Sequence, residues 1–211
     1  MKLGKLNEMY PVIGMSPGNS YFKEDVVREL LKKVVEKFGR TTILIADVPA
    51  ISTYMAFGYP KNRAWRDKAL PQGNNLRNKV QKAMNELGYT TEQVSIINWK
   101  DEIENNLEYK KEYQKIFSLY KENEVFQKSV DDTTQEVLEN SDKEIDDLSS
   151  AIRVAAHYLL SEIGFMEFSP KFLNSKKIIY IYHKEWPIYE KYILGVFDGQ
   201  KREYLDFEII K

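Results

Sequence analysis

Four apolar runs along the chain predict β-strands covered on both faces, because β-branched and other apolar residues follow one another with little polar interruption. They lie at residues 9–15, 41–47 (TTILIAD), 94–99 (VSIINW) and 177–183 (KIIYIYH). Apolar residues at helical spacing predict helices between and after them, at residues 23–38, 75–87, 101–126, 129–138 and 143–163. Strands that alternate with helices predict an α/β fold with a mainly parallel sheet and helices on both faces.

The C-terminal segment has a different pattern, in which apolar and polar residues alternate at residues 192–197 and again at 203–210. Asp198-Gly199 lies between these runs and is a favourable turn pair, so the segment is predicted to form a β-hairpin. No repeat or long linker interrupts the 211 residues, and the chain length suits one domain. The prediction is therefore a single domain over residues 1–211.

The composition restricts the chemistry available to the chain. A hydrophobic fraction of 43% supplies a core without cross-links. The absence of cysteine excludes disulfides, thiolate metal sites and a cysteine nucleophile. The two histidines, His157 and His183, lie in different neighbourhoods, so no metal site is expected. The N-terminus lacks a signal-peptide core and no apolar window of about 18 residues occurs, which predicts a cytoplasmic protein without a membrane span.

Charge is distributed unevenly, although the formal net charge is −1. Residues 61–82 contain seven Lys or Arg and one acid, whereas residues 101–147 contain 15 acids and six lysines. A helix lined with Lys and Arg can follow a phosphate backbone without reading its sequence, and a merely solvated charged face is the alternative. The residues predicted to contact such a backbone are Arg63, Arg66, Lys68, Arg77, Lys79 and Lys82.

Ser16 stands just beyond the first predicted strand, in the segment VIGMSPGNSYF. The letters from Gly14 to Gly18 match the G-x-S-x-G nucleophile elbow, but that elbow follows several strands and needs a later acid and histidine. The segment also lacks the lysine and the glycine spacing of phosphate-binding loops. The local sequence therefore leaves three roles open: a nucleophile, a phosphate clamp, or a helix cap made by Ser16 or Asn19.

Two later features could share a site with Ser16. In a parallel sheet, chemistry lies beyond the carboxyl ends of the strands, so the Tyr182-His183 pair is expected near Ser16. Tyr158 and Glu162 are four residues apart and therefore on one face of a helix. A glutamate among apolar side chains tends to have a raised pKa, which suits a general acid or base, whereas a solvated helix-face glutamate is the alternative.

Three motifs, in this order, resemble those of the tRNA-dependent cyclodipeptide synthases. The first is an apolar strand ending in Gly-x-Ser with asparagine three residues on (VIGMSPGNSYF), the second a helical Tyr-x-x-x-Glu (YLLSEIG), and the third a Tyr-His strand end followed by tryptophan (YHKEW). Tyr182 lies 20 residues after Glu162, and the basic segment lies between the first two motifs. Asn19, Tyr182 and His183 resemble the subfamily that carries asparagine, tyrosine and histidine at these positions.

The resemblance implies a Rossmann-like fold akin to the catalytic domain of class I tyrosyl- and tryptophanyl-tRNA synthetases, without their ATP motifs. It also implies that two aminoacyl-tRNAs are consumed and a cyclic dipeptide, a diketopiperazine, is released. Because an aminoacyl-tRNA is already activated as an ester, no nucleotide, metal or other cofactor is expected. The chain departs from the family pattern at Tyr10, where histidine is usual, and at Gly164, where proline is usual.

The resemblance also implies roles for the catalytic residues. Ser16 would carry the first aminoacyl group as an ester, and Gly14 would let that group approach the backbone. Tyr158 and Glu162 would hold its α-ammonium group by hydrogen bonding. Glu162 would then accept a proton during attack on the second ester, and Tyr182 would relay a proton during ring closure.

Asn19 and His183 would position the loop that carries the serine. The pocket for the first side chain would be lined by Val12, Phe165 and Tyr180, which are carried over from the family by their offsets from the motifs. All three are apolar or aromatic, so hydrophobic substrates such as Leu, Phe, Met or Tyr are favoured.

Two other functions stay open. A serine hydrolase or esterase would use His183 as the base for Ser16, with an acid to orient the histidine. A non-catalytic tRNA- or RNA-binding domain would use the basic helix, with Ser16 as a helix cap. Reversing the charges of Arg66, Arg77 and Lys79 is expected to weaken tRNA use without affecting folding. The sequence does not indicate the oligomeric state or the second amino acid.

Overall fold

The computed structural model describes residues 9–210, so residues 1–8, most of the N-terminal segment considered above for a signal peptide, lie outside the described residues. Five strands in this range form one sheet: β1 (Met9–Met15), β2 (Thr41–Ile45), β3 (Val94–Ile97), β4 (Lys177–Tyr182) and β5 (Leu205–Ile209). Their spatial order is β3-β2-β1-β4-β5, and every neighbouring pair is parallel. Strand order therefore reverses between β1 and β4, the point at which doubly wound sheets bind their ligands.

Seven longer helices surround the sheet: α1 (Glu24–Phe38), α2 (Asp47–Ala56), α3 (Leu70–Leu87), α4 (Leu107–Glu122), α5 (Glu124–Glu139), α6 (Leu148–Phe172) and α7 (Pro187–Ile193). A helical turn (Lys61–Arg63) and a π-helical segment (Ala64–Ala69) lead into α3, and a second π-helical segment (Trp99–Ile103) precedes α4. The basic stretch of the sequence is thus almost continuously helical.

Two hydrophobic cores lie on opposite faces of the sheet. Val12 of β1 pairs with Tyr180 of β4, and both belong to the larger core, which α4, α5 and α6 complete. Ile13 and Ile181 form the next pair, and both belong to the second core, covered by α1 and α3. This alternation follows from the period of two in a strand. The predicted α/β fold, a parallel sheet with helices on both faces, is confirmed; the single domain over residues 1–211 stays a prediction.

The predicted C-terminal hairpin is wrong. Pro187 occupies the first turn of α7, where its missing N–H costs nothing, so helix replaces the expected strand up to Ile193. Two glycines with left-handed backbone, Gly195 (φ 76°) and Gly199 (φ 74°), then turn the chain. β5 consequently reaches β4 in the parallel direction, by a crossover rather than a tight turn.

Two predicted helical spans also have wrong bounds, because asparagine and aspartate side chains cap helices inside them. The span 101–126 is broken by Asn106, whose side chain accepts from Glu108 N at 2.9 Å at the start of α4, and by Asn123, which accepts from Phe126 N at 2.8 Å at the start of α5. The span 143–163 starts later, after Asp147, and continues to Phe172. Helix α2 was not predicted.

Gly164, one of the two departures from the family pattern, lies where α6 crosses α4. A Cβ atom at this position would lie 3.1 Å from the Cα atom of Tyr113 on α4. The missing side chain therefore permits a close approach of the two helices.

Candidate active site

Ser16 directly follows β1, in a tight loop at the point where strand order reverses. The backbone N–H of Asn19 donates to Ser16 O at 3.2 Å, and Asn19 Oδ1 accepts from Tyr21 N at 2.9 Å. Gly18 has a left-handed backbone (φ +82°). Helix α1 begins after Lys23 without a side-chain cap in the described structure, so the helix-cap interpretation of Ser16 or Asn19 is wrong.

The Ser16 hydroxyl meets helix α6 on the larger core's side of the sheet. Tyr158 Oη donates to Ser16 Oγ at 2.8 Å and lies 3.4 Å from Glu162 Oε1. The structure thus joins a residue after the first strand to the Tyr-x-x-x-Glu motif. Ser16 and Tyr158 are partly buried, whereas Glu162 is only 3% exposed.

Glu162 is a buried carboxyl group at the centre of this cluster. Burial raises its pKa to about 7, while hydrogen bonds from Tyr189 and Tyr158 act in the opposite direction. A pKa near neutrality suits a group that must both hold an ammonium ion and accept a proton. The interpretation of Glu162 as a solvated surface residue is wrong.

Tyr182 ends β4 beside the serine strand. Its ring contacts the rings of Tyr189 and Phe207, with centroids 5.4 and 5.1 Å away, and its hydroxyl is buried without a hydrogen-bond partner in residues 9–210. A Cβ atom at Gly14 would lie 2.7 Å from Tyr182 Cε1. The absence of a side chain at Gly14 therefore leaves space for the Tyr182 ring. This explanation for a glycine differs from the substrate approach expected above.

His183 lies behind the serine loop. Its ring stacks on Tyr21 at 4.3 Å between centroids, and its Nε2 atom lies 3.5 Å from Asn19 Nδ2. Its Nδ1 atom is buried without a partner in the described part of the chain. Burial, aided by Lys184, lowers the pKa of His183. The histidine thus packs against the loop rather than bonding to the Ser16 hydroxyl, whose described partner is Tyr158.

Tyr189 belongs to this cluster but was not predicted from the sequence. It lies on α7, is 1% exposed, and donates to Glu162 Oε2. Because this segment was predicted to lie beside a hairpin, no face could be assigned to Tyr189. The available signal was Pro187, which marks a helix start two residues before it.

The three residues expected to line the substrate pocket, Val12, Phe165 and Tyr180, are all 0% exposed and share the larger core. Tyr180 Oη donates to Ser169 Oγ at 2.8 Å, and Phe165 packs on Trp99 with centroids 5.6 Å apart. All three therefore lie inside the core, on the same side of the sheet as Ser16.

Several predicted tRNA contacts bind other parts of the protein. Arg77 forms an ion pair with Asp47, which is only 1% exposed at its side chain. Lys79 Nζ donates to Phe22 O at 2.8 Å. Arg77 and Lys79 thus contact neighbouring parts of the protein, so we now expect that reversing their charges would also affect folding.

Of the other four predicted contacts, Arg63, Arg66 and Lys82 are exposed, and Lys68 is partly buried. Arg63 and Arg66 both contact Asp67, with side chains 59% and 70% exposed. Lys82 pairs with Glu24 at 56% exposure, and Lys68 lies over the ring of Tyr59. Because an exposed ion pair contributes little free energy, its cation can exchange the carboxylate for a phosphate with little loss of stability.

Within residues 9–210, no group of three or more His, Cys, Asp or Glu side chains is arranged to hold a metal ion. No helix in this range has the length and apolarity required to cross a bilayer.

Comparison with known proteins decides the family. The family model described as cyclodipeptide synthase matches residues 8–204. The chain belongs to the cyclodipeptide synthase family. It is 23% identical over 185 residues to cyclo(L-leucyl-L-leucyl) synthase of Bacillus subtilis strain 168, covering 85% of this chain and 73% of that protein. The predicted enzyme class is thereby confirmed.

Solved structures agree on the fold. The cyclodipeptide synthase from Bacillus thermoamylovorans gives a TM-score of 0.81 at 24% identity, covering 99% of this chain and 92% of that one. A Mycobacterium tuberculosis protein, whose structure relates cyclodipeptide synthetases to type I tRNA synthetases, gives 0.74 at 20% identity, covering 98% and 88%. The predicted Rossmann-like fold is confirmed.

Proposed function

We propose that this cyclodipeptide synthase joins the aminoacyl groups of two aminoacyl-tRNAs through an ester on Ser16. The observation that carries the proposal is the hydrogen-bonded array of Ser16, Tyr158 and Glu162 at the reversal point of the sheet. A hydroxyl, a phenol and a buried carboxyl group together supply a nucleophile, a donor and an ammonium site.

The first step forms the ester. Ser16 Oγ attacks the ester carbonyl of the first aminoacyl-tRNA, the bond to the tRNA ribose breaks, and the ribose oxygen takes up the proton that Ser16 loses. Tyr158 holds the Ser16 hydroxyl in place at 2.8 Å. No histidine base bonds to this serine in the described structure, so much of the rate must come from orientation, which contributes at most about 7–11 kcal/mol.

The next steps build the ring. The amine of the seryl ester attacks the ester carbonyl of the second aminoacyl-tRNA and loses a proton to Glu162, which passes it to the departing ribose oxygen of the second tRNA. The new terminal amine then attacks the seryl ester, closes the diketopiperazine and frees Ser16. Tyr182, whose buried hydroxyl has no partner in residues 9–210, is proposed to carry the proton in this closure.

The remaining proposals concern the subfamily, the first substrate residue and the cellular location. Asn19 and His183 support membership of the Asn-Tyr-His subfamily, since they contact each other behind the serine loop. Val12, Phe165 and Tyr180 are proposed to set a hydrophobic first residue, in keeping with the leucyl product named for the Bacillus subtilis relative. The protein is proposed to act in the cytoplasm, where aminoacyl-tRNA is present.

The basic surface is proposed to bind the tRNA backbone through its accessible residues. These are Arg63, Arg66, Lys68 and Lys82. Arg77 and Lys79 contribute chiefly by fixing α3, because their polar groups already contact Asp47 and Phe22 O.

The decisive experiment compares wild type with Ser16→Ala. Bacteria expressing the wild type are expected to release diketopiperazines detectable by mass spectrometry, and the purified protein to gain the mass of one aminoacyl group with aminoacyl-tRNA. Ser16→Ala is expected to lose both signals. Ser20→Ala, an exposed serine of the same loop, is the matched control. Product formation by Ser16→Ala at the wild-type rate would contradict the proposal.

A serine hydrolase is the alternative enzyme. It requires His183 to face Ser16, whereas the His183 Nε2 atom faces Asn19 at 3.5 Å. Labelling of Ser16 by a fluorophosphonate probe with ester hydrolysis, in place of cyclic dipeptide formation, would favour it.

A further inference from the structure

The two oxygens of Glu162 are approached by tyrosines from two different helices. Tyr158 of α6 lies 3.4 Å from Oε1, and Tyr189 of α7 donates to Oε2. A phenol has a single O–H, and that of Tyr158 already donates to Ser16 Oγ at 2.8 Å. Tyr189 is therefore the main fixed donor to the carboxylate.

Tyr189 is placed to act on Glu162 without reaching the substrate. Its side chain is 1% exposed and stacks on Tyr182 at 5.4 Å and against Phe207 of β5 at 6.2 Å between centroids. Its hydroxyl bonds the carboxylate oxygen opposite the one that faces Tyr158. Oε1 is therefore the carboxylate oxygen on the side of Tyr158 and Ser16.

Helix α7 is held by contacts that do not involve the Tyr189 hydroxyl. One turn further on, Tyr192 donates to Glu167 of α6. Arg202 bonds the same carboxylate through Nε at 2.7 Å and lies over the Tyr192 ring at 3.9 Å. Removing the Tyr189 hydroxyl should therefore leave α7 in position, and Tyr192 is its natural control.

We propose that Tyr189 is a positioning residue for the reaction, which fixes Glu162 with Oε1 towards Ser16 and favours the ionised form of its carboxyl group. The proposal rests on the function proposed above, in which Glu162 must be charged to hold and deprotonate the amine. A hydrogen bond to a charged group stabilises that charged form.

The groups packed around Glu162 leave few other ways to maintain its charge. Among the described residues, the groups whose pKa values the Glu162 charge raises are all tyrosines: Tyr109, Tyr158, Tyr180, Tyr182 and Tyr189. Burial raises the Glu162 pKa, and the two groups that oppose this rise are Tyr189 and Tyr158. Loss of the Tyr189 donor should accordingly favour the protonated, inactive carboxyl group.

The test compares the pH dependence of single-turnover cyclic dipeptide formation in wild type, Tyr189→Phe and Tyr192→Phe. The acidic midpoint should move upward by about one pH unit in Tyr189→Phe, with about a fivefold loss at pH 7 that alkaline pH restores. Tyr192→Phe should keep the wild-type midpoint. A wild-type profile in Tyr189→Phe, a loss that pH does not restore, or an equal shift in Tyr192→Phe would overturn the proposal.

A second measurement separates this proposal from the proposed function. Difference infrared spectroscopy titrates the Glu162 carboxyl group in the protein alone, with Glu162→Gln to assign the band. Tyr189→Phe should raise the measured midpoint, and 3-fluorotyrosine at position 189, a stronger donor that keeps the ring, should lower it. Absence of product in wild type would refute the function, whereas unchanged infrared midpoints would refute the role of Tyr189.

Discussion

The Tyr158 hydroxyl donates to Ser16 Oγ at 2.8 Å, although the two residues are 142 positions apart in sequence. The serine follows the central strand β1, and the tyrosine lies on α6, packed on one face of the sheet. The orientation of the Ser16 hydroxyl, the proposed nucleophile, is therefore set by a distant helix as well as by its own loop. Catalysis in this enzyme should be sensitive to changes on either side of this bond.

Tyr158→Phe is expected to slow aminoacylation of Ser16 about 100-fold, because misorientation of a reacting group carries a cost of this order. The rate of appearance of the aminoacyl-protein mass after mixing with aminoacyl-tRNA measures it. Tyr113→Phe is the control, since its hydroxyl contacts His157 on the neighbouring position of α6. A wild-type rate in Tyr158→Phe would show that the bond is not needed.

Glu162 should make the folding stability depend on pH in a predictable direction. Its folded pKa of about 7 lies above the ordinary glutamate value of 4.5, so the folded state binds more protons between pH 4.5 and 7. Wild-type stability should therefore fall as pH rises from about 4.5 to 7. Relative to wild type, Glu162→Gln should gain about 3 kcal/mol between pH 5 and pH 8.

Urea unfolding of both proteins at the two pH values measures this difference. Glu167→Gln is the comparison variant, since Glu167 lies on the same helix and is bonded to Arg202. Equal pH dependence in wild type and Glu162→Gln would mean that the carboxyl group is not protonated in the folded state near neutrality.

Gly164→Ala should destabilise the protein, against the trend for helices. Helix propensity alone favours alanine by about 1 kcal/mol. The new Cβ atom, however, would lie 3.1 Å from backbone atom Cα of Tyr113, and such overpacking costs about 1–3 kcal/mol. The urea midpoint should fall, and a rise would show that α4 and α6 separate easily. Ser149→Ala on the exposed first turn of α6 controls for propensity.

Arg77 and Arg66 should separate into a structural and a tRNA-facing residue. Arg77→Ala leaves the buried Asp47 carboxylate unpaired and should cost about 3–5 kcal/mol in the free energy of unfolding. Arg66→Ala should keep wild-type stability, because this side chain is 70% exposed, yet raise the KM for aminoacyl-tRNA. An unchanged KM at physiological salt would exclude Arg66 from tRNA binding.

The fold was predictable because its strands are continuous apolar runs, and in a parallel sheet these have one plausible environment. The C-terminal segment was not. Residues 192–197 alternate as a strand does, but Tyr192 points to Glu167 and Arg202 rather than to a sheet face. A tertiary contact made by three residues from separate segments produces no periodic pattern in the local sequence.

The serine, the Tyr-x-x-x-Glu pair and Tyr182 could be located because their order and spacing carry information. Tyr189 could not, since its role depends on the angle at which α7 meets α6. The buried partners of Arg77 and Lys79 were hidden for a related reason. A charged residue has the same letter whether it faces solvent or Asp47, and its environment is decided by the packing of α3 on α2.

The central position of β1 has a consequence for synthesis of the protein. β1 bonds β2 on one edge and β4 on the other, so the ribosome delivers the nucleophilic serine first and its acidic and phenolic partners about 140 residues later. A nascent chain thus carries Ser16 without the groups that orient it. If Ser16 acts as proposed, we expect that such an unfinished chain does not consume the charged tRNA that its own elongation requires.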